Sequence, residues 1–144
     1  MKKLREEIEA DEGVVNNVYL DHLGLPTFGI GHLIRETDPE HRLPVDTAVS
    51  KARIEEAFLQ DMLSVESDCV RLFGEFRQYP EEVQRVIANM MFNLGSTRLN
   101  KFNNFKAAIR KEDWKQAAVE MKDSAWYRQV TNRAERLCER MRNV

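Results

Sequence analysis

Between Glu12 and Leu33 the chain leaves the helical period that governs most of its length, and this interruption constrains the fold more than any other feature. Leu4 and Ile8 mark the apolar face of a first helix, and Gly13 stands where a left-handed stop is expected. Residues 17–20 then read as a short strand, 21–24 as a turn, and 27–34 as the returning strand. Side chains alternate along a strand, so Thr27, Gly29 and Gly31 would share one face, and Phe28 and Ile30 the other. Glycines inside a strand mark a close approach to the backbone, here by the Glu12 helix or by a substrate. A hairpin set into an otherwise helical chain predicts an α+β fold, mostly helical, with a small N-terminal sheet.

The remaining pattern is helical. Residues 38–44 are a polar, turn-rich connection that is expected to close the sheet. Residues 50–73 predict one long helix with Ile54, Phe58, Val65, Cys69 and Phe73 along its stripe. Pro80 opens the next helix, which turns Val83, Val86, Ile87, Met90 and Leu94 inward and ends at Gly95. Shorter helices are expected from about residue 103, over 114–122 and from about 132, with a turn near Trp126. Thr131 is the expected N-cap of the last helix, whose stripe is Ala134, Leu137, Cys138 and Met141. Asp61 falls between Phe58 and Val65 at helical spacing, so it projects toward the stripe. A partly buried carboxylate needs a partner, and His32 is the best candidate.

Composition excludes several classes. A chain of 144 residues is one domain by size, long enough to bury a core. With 42% hydrophobic and 32% charged residues it is an ordinary soluble globular sequence, and a formal charge of −2 gives no general attraction to nucleic acid or anionic membranes. Arg128, Arg133, Arg136, Arg140 and Arg142 gather near the C-terminus and read as a solvated helix face. Cys69 and Cys138 form no CxxC motif, lie on apolar stripes and are expected to be buried free thiols. His22, His32 and His41 lack metal-ligand spacing, so neither a metal nor another cofactor is expected. The first residues carry basic charge without an apolar core, and nowhere do roughly 18 apolar residues run together. Neither a secretory signal nor a membrane anchor is expected.

The chemistry concentrates on Glu12, Asp21 and Thr27. A carboxylate at a helix C-terminus meets the negative end of the backbone dipole, which disfavours its anion and suits it to donating a proton. Asp21, at a wet turn, is expected to stay ionised. Two acids in contrasting environments are the working pair of a glycosidase. Taken singly, each has a plainer reading: a turn-forming Asp, a solvated Glu, a strand Thr.

Wider matches choose between these readings. Asp11-Glu12-Gly13, Tyr19-x-Asp21 and Thr27-x-Gly29-Ile30-Gly31-His32-Leu33 resemble the phage-type lysozymes, glycoside hydrolase family 24. The resemblance continues in Asn89-Met90-x-Phe92-x-x-Gly95, in Trp114-x-x-Ala117-Ala118-Val119, and in Trp126-Tyr127-x-Gln129-x-x-Asn132-Arg133-Ala134-x-Arg136. It implies a lysozyme-like domain over residues 1–144. A sheet lobe of about 13–50 would be joined by the long helix to a helical lobe of about 70–144 that also takes in the N-terminal helix. It implies an endolysin that hydrolyses the β-1,4 bond between N-acetylmuramic acid and N-acetylglucosamine in bacterial peptidoglycan. Glu12 would be the proton donor, and Asp21 and Thr27 would hold the water that attacks the opposite face. Leu33 and Phe92 would contact sugar, and Arg133, beside Glu12, would anchor that carboxylate. Asn93 stands where the family has a glutamine, and by the same resemblance Phe105 and Glu120 would occupy two further sugar-contacting positions. A monomer that stays in the host cytoplasm, and reaches the wall at lysis through a separate holin, is the implied setting. The alternatives are a catalytically silent peptidoglycan-binding relative and a helical protein- or nucleic-acid-binding module. The acid pair argues against the first, the acidic balance and the glycine-bearing hairpin against the second.

Overall fold

The computed structural model describes residues 2–144, in two compact units, Met1–Leu63 and Ser64–Val144. The first begins with α1 (Lys2–Glu12), which buries Leu4 and Ile8. It stops where Gly13 turns left-handed, at φ +73°, and donates its N–H to the Glu9 carbonyl at 2.8 Å. Three antiparallel strands follow, in the order β1 (Val15–Leu20), β2 (Pro26–Gly29) and β3 (His32–Leu33). Tyr19 pairs with Thr27, Thr27 with Leu33, and Phe28 with His32.

The returning strand is therefore two strands. Gly29 and Gly31 both take left-handed φ values, +67° and +62°, and reverse the chain through Ile30. The expected alternation ends at Gly29 for that reason. Thr27 accordingly lies on the central strand of the sheet. Nor do residues 38–44 close the sheet, since they form a run of turns. The outer edge of β1 is covered by the segment after them. Val18 N–H reaches the Thr47 carbonyl at 2.9 Å, Asp46 N–H the Val18 carbonyl at 2.8 Å, and Val49 N–H the Asn16 carbonyl at 2.9 Å.

The long helix is α2 (Lys51–Leu72), which carries the chain from the first unit into the second. Its residues Ile54 and Phe58 are buried in the first unit with Val18, Phe28 and Ile30; Val65, Cys69 and the following Phe73 are buried in the second. After a short 3-10 turn (Phe76–Gln78), α3 (Glu81–Leu94) starts behind Pro80 and buries all five predicted residues before Gly95, at φ +80°, ends it. Four-residue α4 (Ser96–Leu99) and that 3-10 turn are too short to show a period. Next come α5 (Asn103–Arg110), α6 (Trp114–Lys122), α7 (Ala125–Gln129) and α8 (Thr131–Arg142).

The expected turn at Trp126 is the helix α7, capped by Ser124, whose Oγ accepts the Tyr127 N–H at 3.2 Å. Because α7 runs to Gln129, a single residue, Val130, separates it from α8 and occupies the N-cap position. Thr131 is thus inside the helix, and its hydroxyl donates to the Arg128 carbonyl at 3.4 Å. The predicted stripe of α8 is buried throughout. Cys69 and Cys138 are free and buried, and burial pushes their pKa values up to about 12 and about 11, so both stay as thiols. No helix among the described residues is long and apolar enough to cross a membrane.

Candidate active site

Glu12 is the last residue of α1, half-buried, and its carboxyl lies against Gly31. A methyl group at Gly31 would sit 3.0 Å from both Cδ and Oε2 of Glu12, so the absent side chain is what admits the carboxylate. One of the two approaches anticipated from the glycines is therefore the Glu12 helix. The other glycine, Gly29, faces Ile54 in the same way, with Cγ2 3.0 Å from a would-be methyl.

Asp21 follows β1, and the backbone of its own turn wraps it. Its Oδ1 accepts the N–H groups of Leu23 at 2.8 Å and Leu25 at 2.9 Å. Its N–H donates to the Leu25 carbonyl, and its carbonyl accepts from Gly24 N–H, both at 2.9 Å. Both backbone bonds to the carboxylate fall on Oδ1, so Oδ2 is the oxygen able to take on a water. Thr27 is 4% exposed, and its Oγ1 donates to the same Leu25 carbonyl at 2.9 Å. That hydroxyl's proton is committed, and what Thr27 offers a water is lone pairs.

Residues directly opposite in antiparallel strands share a face. Tyr19, Thr27 and Leu33 thus form one row across all three strands, while Phe28 and His32 lie on the other face with ring centroids 4.9 Å apart. Leu33 is exposed. In the second unit Phe92 is half-buried on α3. Next to it Asn93 is occupied structurally, its Oδ1 accepting the buried Trp126 Nε1–H at 2.7 Å. Phe105 is 1% exposed and packs edge-on against Phe73 and Phe102, so it belongs to the core and not to a sugar-contacting surface. Glu120 is half-exposed and accepts from Gln116 Nε2 at 3.0 Å.

His32 and Asp61 do pair, through Nδ1 and Oδ2 at 2.7 Å. The sequence missed the rest of this cluster. Asp38 Oδ2 takes the other ring nitrogen at 2.8 Å, Arg53 bridges Asp38 and Glu40, and Arg35 reaches Asp61 at 3.2 Å. His32 is 3% exposed. Burial by itself would lower its pKa, but the hydrogen bonds that the ring donates to Asp61 and Asp38 outweigh it and hold the imidazole raised. For Asp38 burial pulls upward, and the Arg35 N–H, His32 and Arg53 overcome it to hold the carboxyl low.

The solvated-face reading of the C-terminal arginines fails at Arg133. It is 9% exposed, and its Nε donates to Oδ1 of fully buried Asn89 at 2.8 Å. Arg140 is half-buried and bound to Glu82 at 2.7 Å, whereas Arg128, Arg136 and Arg142 are exposed. Among the described residues there is no group of three or more His, Cys, Asp or Glu side chains able to hold a metal ion.

Residues 9–143 match the model of the family described as Phage lysozyme. Two proteins of Dictyostelium discoideum, probable T4-type lysozymes 1 and 2, are 27% and 26% identical to the chain, each alignment covering 95% of it and 92% of the relative. The pre-baseplate central spike protein Gp5 of Enterobacteria phage T4 is 29% identical over 93% of the chain, which spans only 26% of that larger protein.

Proposed function

The chain belongs to the phage lysozyme family, a family of peptidoglycan-hydrolysing glycosidases, and on that premise we propose that it is an inverting muramidase. It cleaves the β-1,4 bond from N-acetylmuramic acid to N-acetylglucosamine. Glu12 gives its proton to the departing sugar oxygen as the bond from the anomeric carbon breaks. Asp21 and Thr27 hold a water on the opposite face. The water donates one hydrogen to the Asp21 carboxylate and the other to Thr27 Oγ1, so its lone pair is free for the anomeric carbon. As the new carbon–oxygen bond forms, Asp21 takes the water's proton. Leu33 and Phe92 contact sugar, and Arg133 supports the site.

The observation that carries this reading is the shared Leu25 carbonyl. It accepts both the Asp21 N–H and the Thr27 hydroxyl, tying base and water-holder to one backbone atom and turning Thr27 into an acceptor. A fixed acceptor pair is what in-line placement of a water needs. In this reading the whole chain is one lysozyme domain of a monomeric endolysin, passed to the wall by a separate holin. The test is digestion of purified peptidoglycan with product analysis. Reducing-end muropeptides, absent with Glu12→Gln, are expected; anhydro-sugars would mean a lytic transglycosylase, and intact wall a silent binding relative.

A further inference from the structure

We propose that Tyr19 is a further substrate-contacting residue of this site, its hydroxyl donating to an acceptor oxygen of the N-acetylhexosamine whose bond is cleaved. The proposal rests on the muramidase reading and adds to it a residue that reading leaves without a role. Tyr19 lies directly opposite Thr27 in the β1–β2 register, and Thr27 opposite Leu33. The phenol, the water-holding hydroxyl and the exposed leucine therefore line one face of the sheet in a single row. Asp21 is two residues further along the chain from Tyr19, just past the end of β1, and the loop bonded to Asp21 leads straight into β2.

The side chain also lies within the field of both acids. Burial first, and then the Glu12 and Asp21 carboxylates, hold its phenol above the ordinary tyrosine range. A phenol kept neutral in that way is an O–H donor at every pH at which the acid pair works. On the face that carries Thr27, and two residues before Asp21, the side chain borders the space beside the acids. In the reaction that space holds the sugar ring under attack. A half-buried tyrosine there offers a flat apolar wall to the ring and one polar tip for its oxygens.

Steady-state hydrolysis of peptidoglycan by wild type, Tyr19→Phe and Tyr19→Ala tests this, with each rate normalised to the folded fraction by circular dichroism. Tyr19→Phe keeps the ring and the strand pairing and removes only the donor. It is expected to lower kcat/KM by roughly tenfold with an unchanged Tm, the loss of one net hydrogen bond. Tyr19→Ala, which also loses the wall, is expected to fall further and to raise KM. Wild-type kcat and KM in Tyr19→Phe, with or without a shift in Tm, would leave the residue structural and overturn the proposal while the muramidase reading stands. A wild-type protein that releases no reducing ends removes both.

Discussion

Gly31 makes room for the Glu12 carboxyl: the position of its missing methyl is 3.0 Å from Oε2, and the backbone there is left-handed. The far end of a flexible side chain can move aside, so Gly31→Ala is survivable for the fold. The strained φ costs about 1–2 kcal/mol. The displaced carboxyl is the proposed proton donor, and a displacement of about 1 Å can cost on the order of 100-fold in rate. Gly29→Ala is the control, because its methyl meets Ile54 in the core. There the φ strain adds to overpacking, about 2–5 kcal/mol in all, with the activity per folded molecule little changed. Urea melts and turbidity assays on the two variants separate these effects. Equal specific activity would mean that the placing of Glu12 does not matter.

The His32 cluster makes stability depend on pH at both ends. A raised His32 pKa contributes stability that is complete below the ordinary value of about 6.5 and fades as pH rises through the folded value. A lowered Asp38 pKa contributes stability that is complete above about 3.9 and fades as pH falls through its folded value. The expected optimum for this cluster lies between roughly pH 4 and 6.5. His32→Ala should lose about 3 kcal/mol near pH 5.5 and less at high pH, because it leaves Asp61 and Asp38 without the cation between them. Denaturation at a series of pH values checks both statements, and a pH-independent difference between variant and wild type would refute them.

Arg133 offers a clean contrast between a buried and a solvated arginine. Truncation removes the donor that meets Asn89 in the core, at an expected cost of about 1–3 kcal/mol. Arg133→Lys should restore little, since an ammonium lacks the planar fork. A solvated residue would give less than about 0.5 kcal/mol, which is what Arg128→Ala on the exposed face should show.

These residues also mark where the sequence was legible. The stripes of α2, α3 and α8 could be read because a 3.6-residue period survives over many turns. The Asp61–His32 pair followed from one acid breaking such a stripe. The break between β2 and β3 was hidden because two left-handed glycines look like strand glycines to a period-two reading. Asp38 and Arg53 were missed because the chain folds a loop and a helix turn onto His32, and spacing carries no trace of that. Phe105 was misplaced by analogy of position; a phenylalanine there withdraws into the core beside Phe73, where an amide or a hydroxyl would stay wet. Composition groups Arg133 with a solvated cluster, and only the resemblance sets it apart, although it sits one residue before the buried Ala134.

The mechanism itself makes the sharpest demand on the three hairpin-side residues. Glu12→Gln should abolish turnover with stability kept or raised, because an amide cannot protonate a leaving group yet also avoids an anion at the helix end. Asp21→Asn should fold normally, since its side-chain oxygen still accepts the Leu23 and Leu25 N–H groups, but it loses the base. Asp21→Glu should also be slow, because the added methylene moves the charge off the water. Thr27→Ala removes a buried hydroxyl from the central strand and should cost about 1 kcal/mol as well as rate. Thr27→Ser, which keeps the bond to Leu25 and the free lone pairs, should restore most of the rate. With a water between the acids, the Glu12 and Asp21 carboxyls should stand roughly 6.5–9.5 Å apart in the complex, and NMR of the fresh reducing end should report the inverted anomer. Retention would mean that Asp21 attacks the sugar itself, and an active Glu12→Gln would remove the acid on which every step depends.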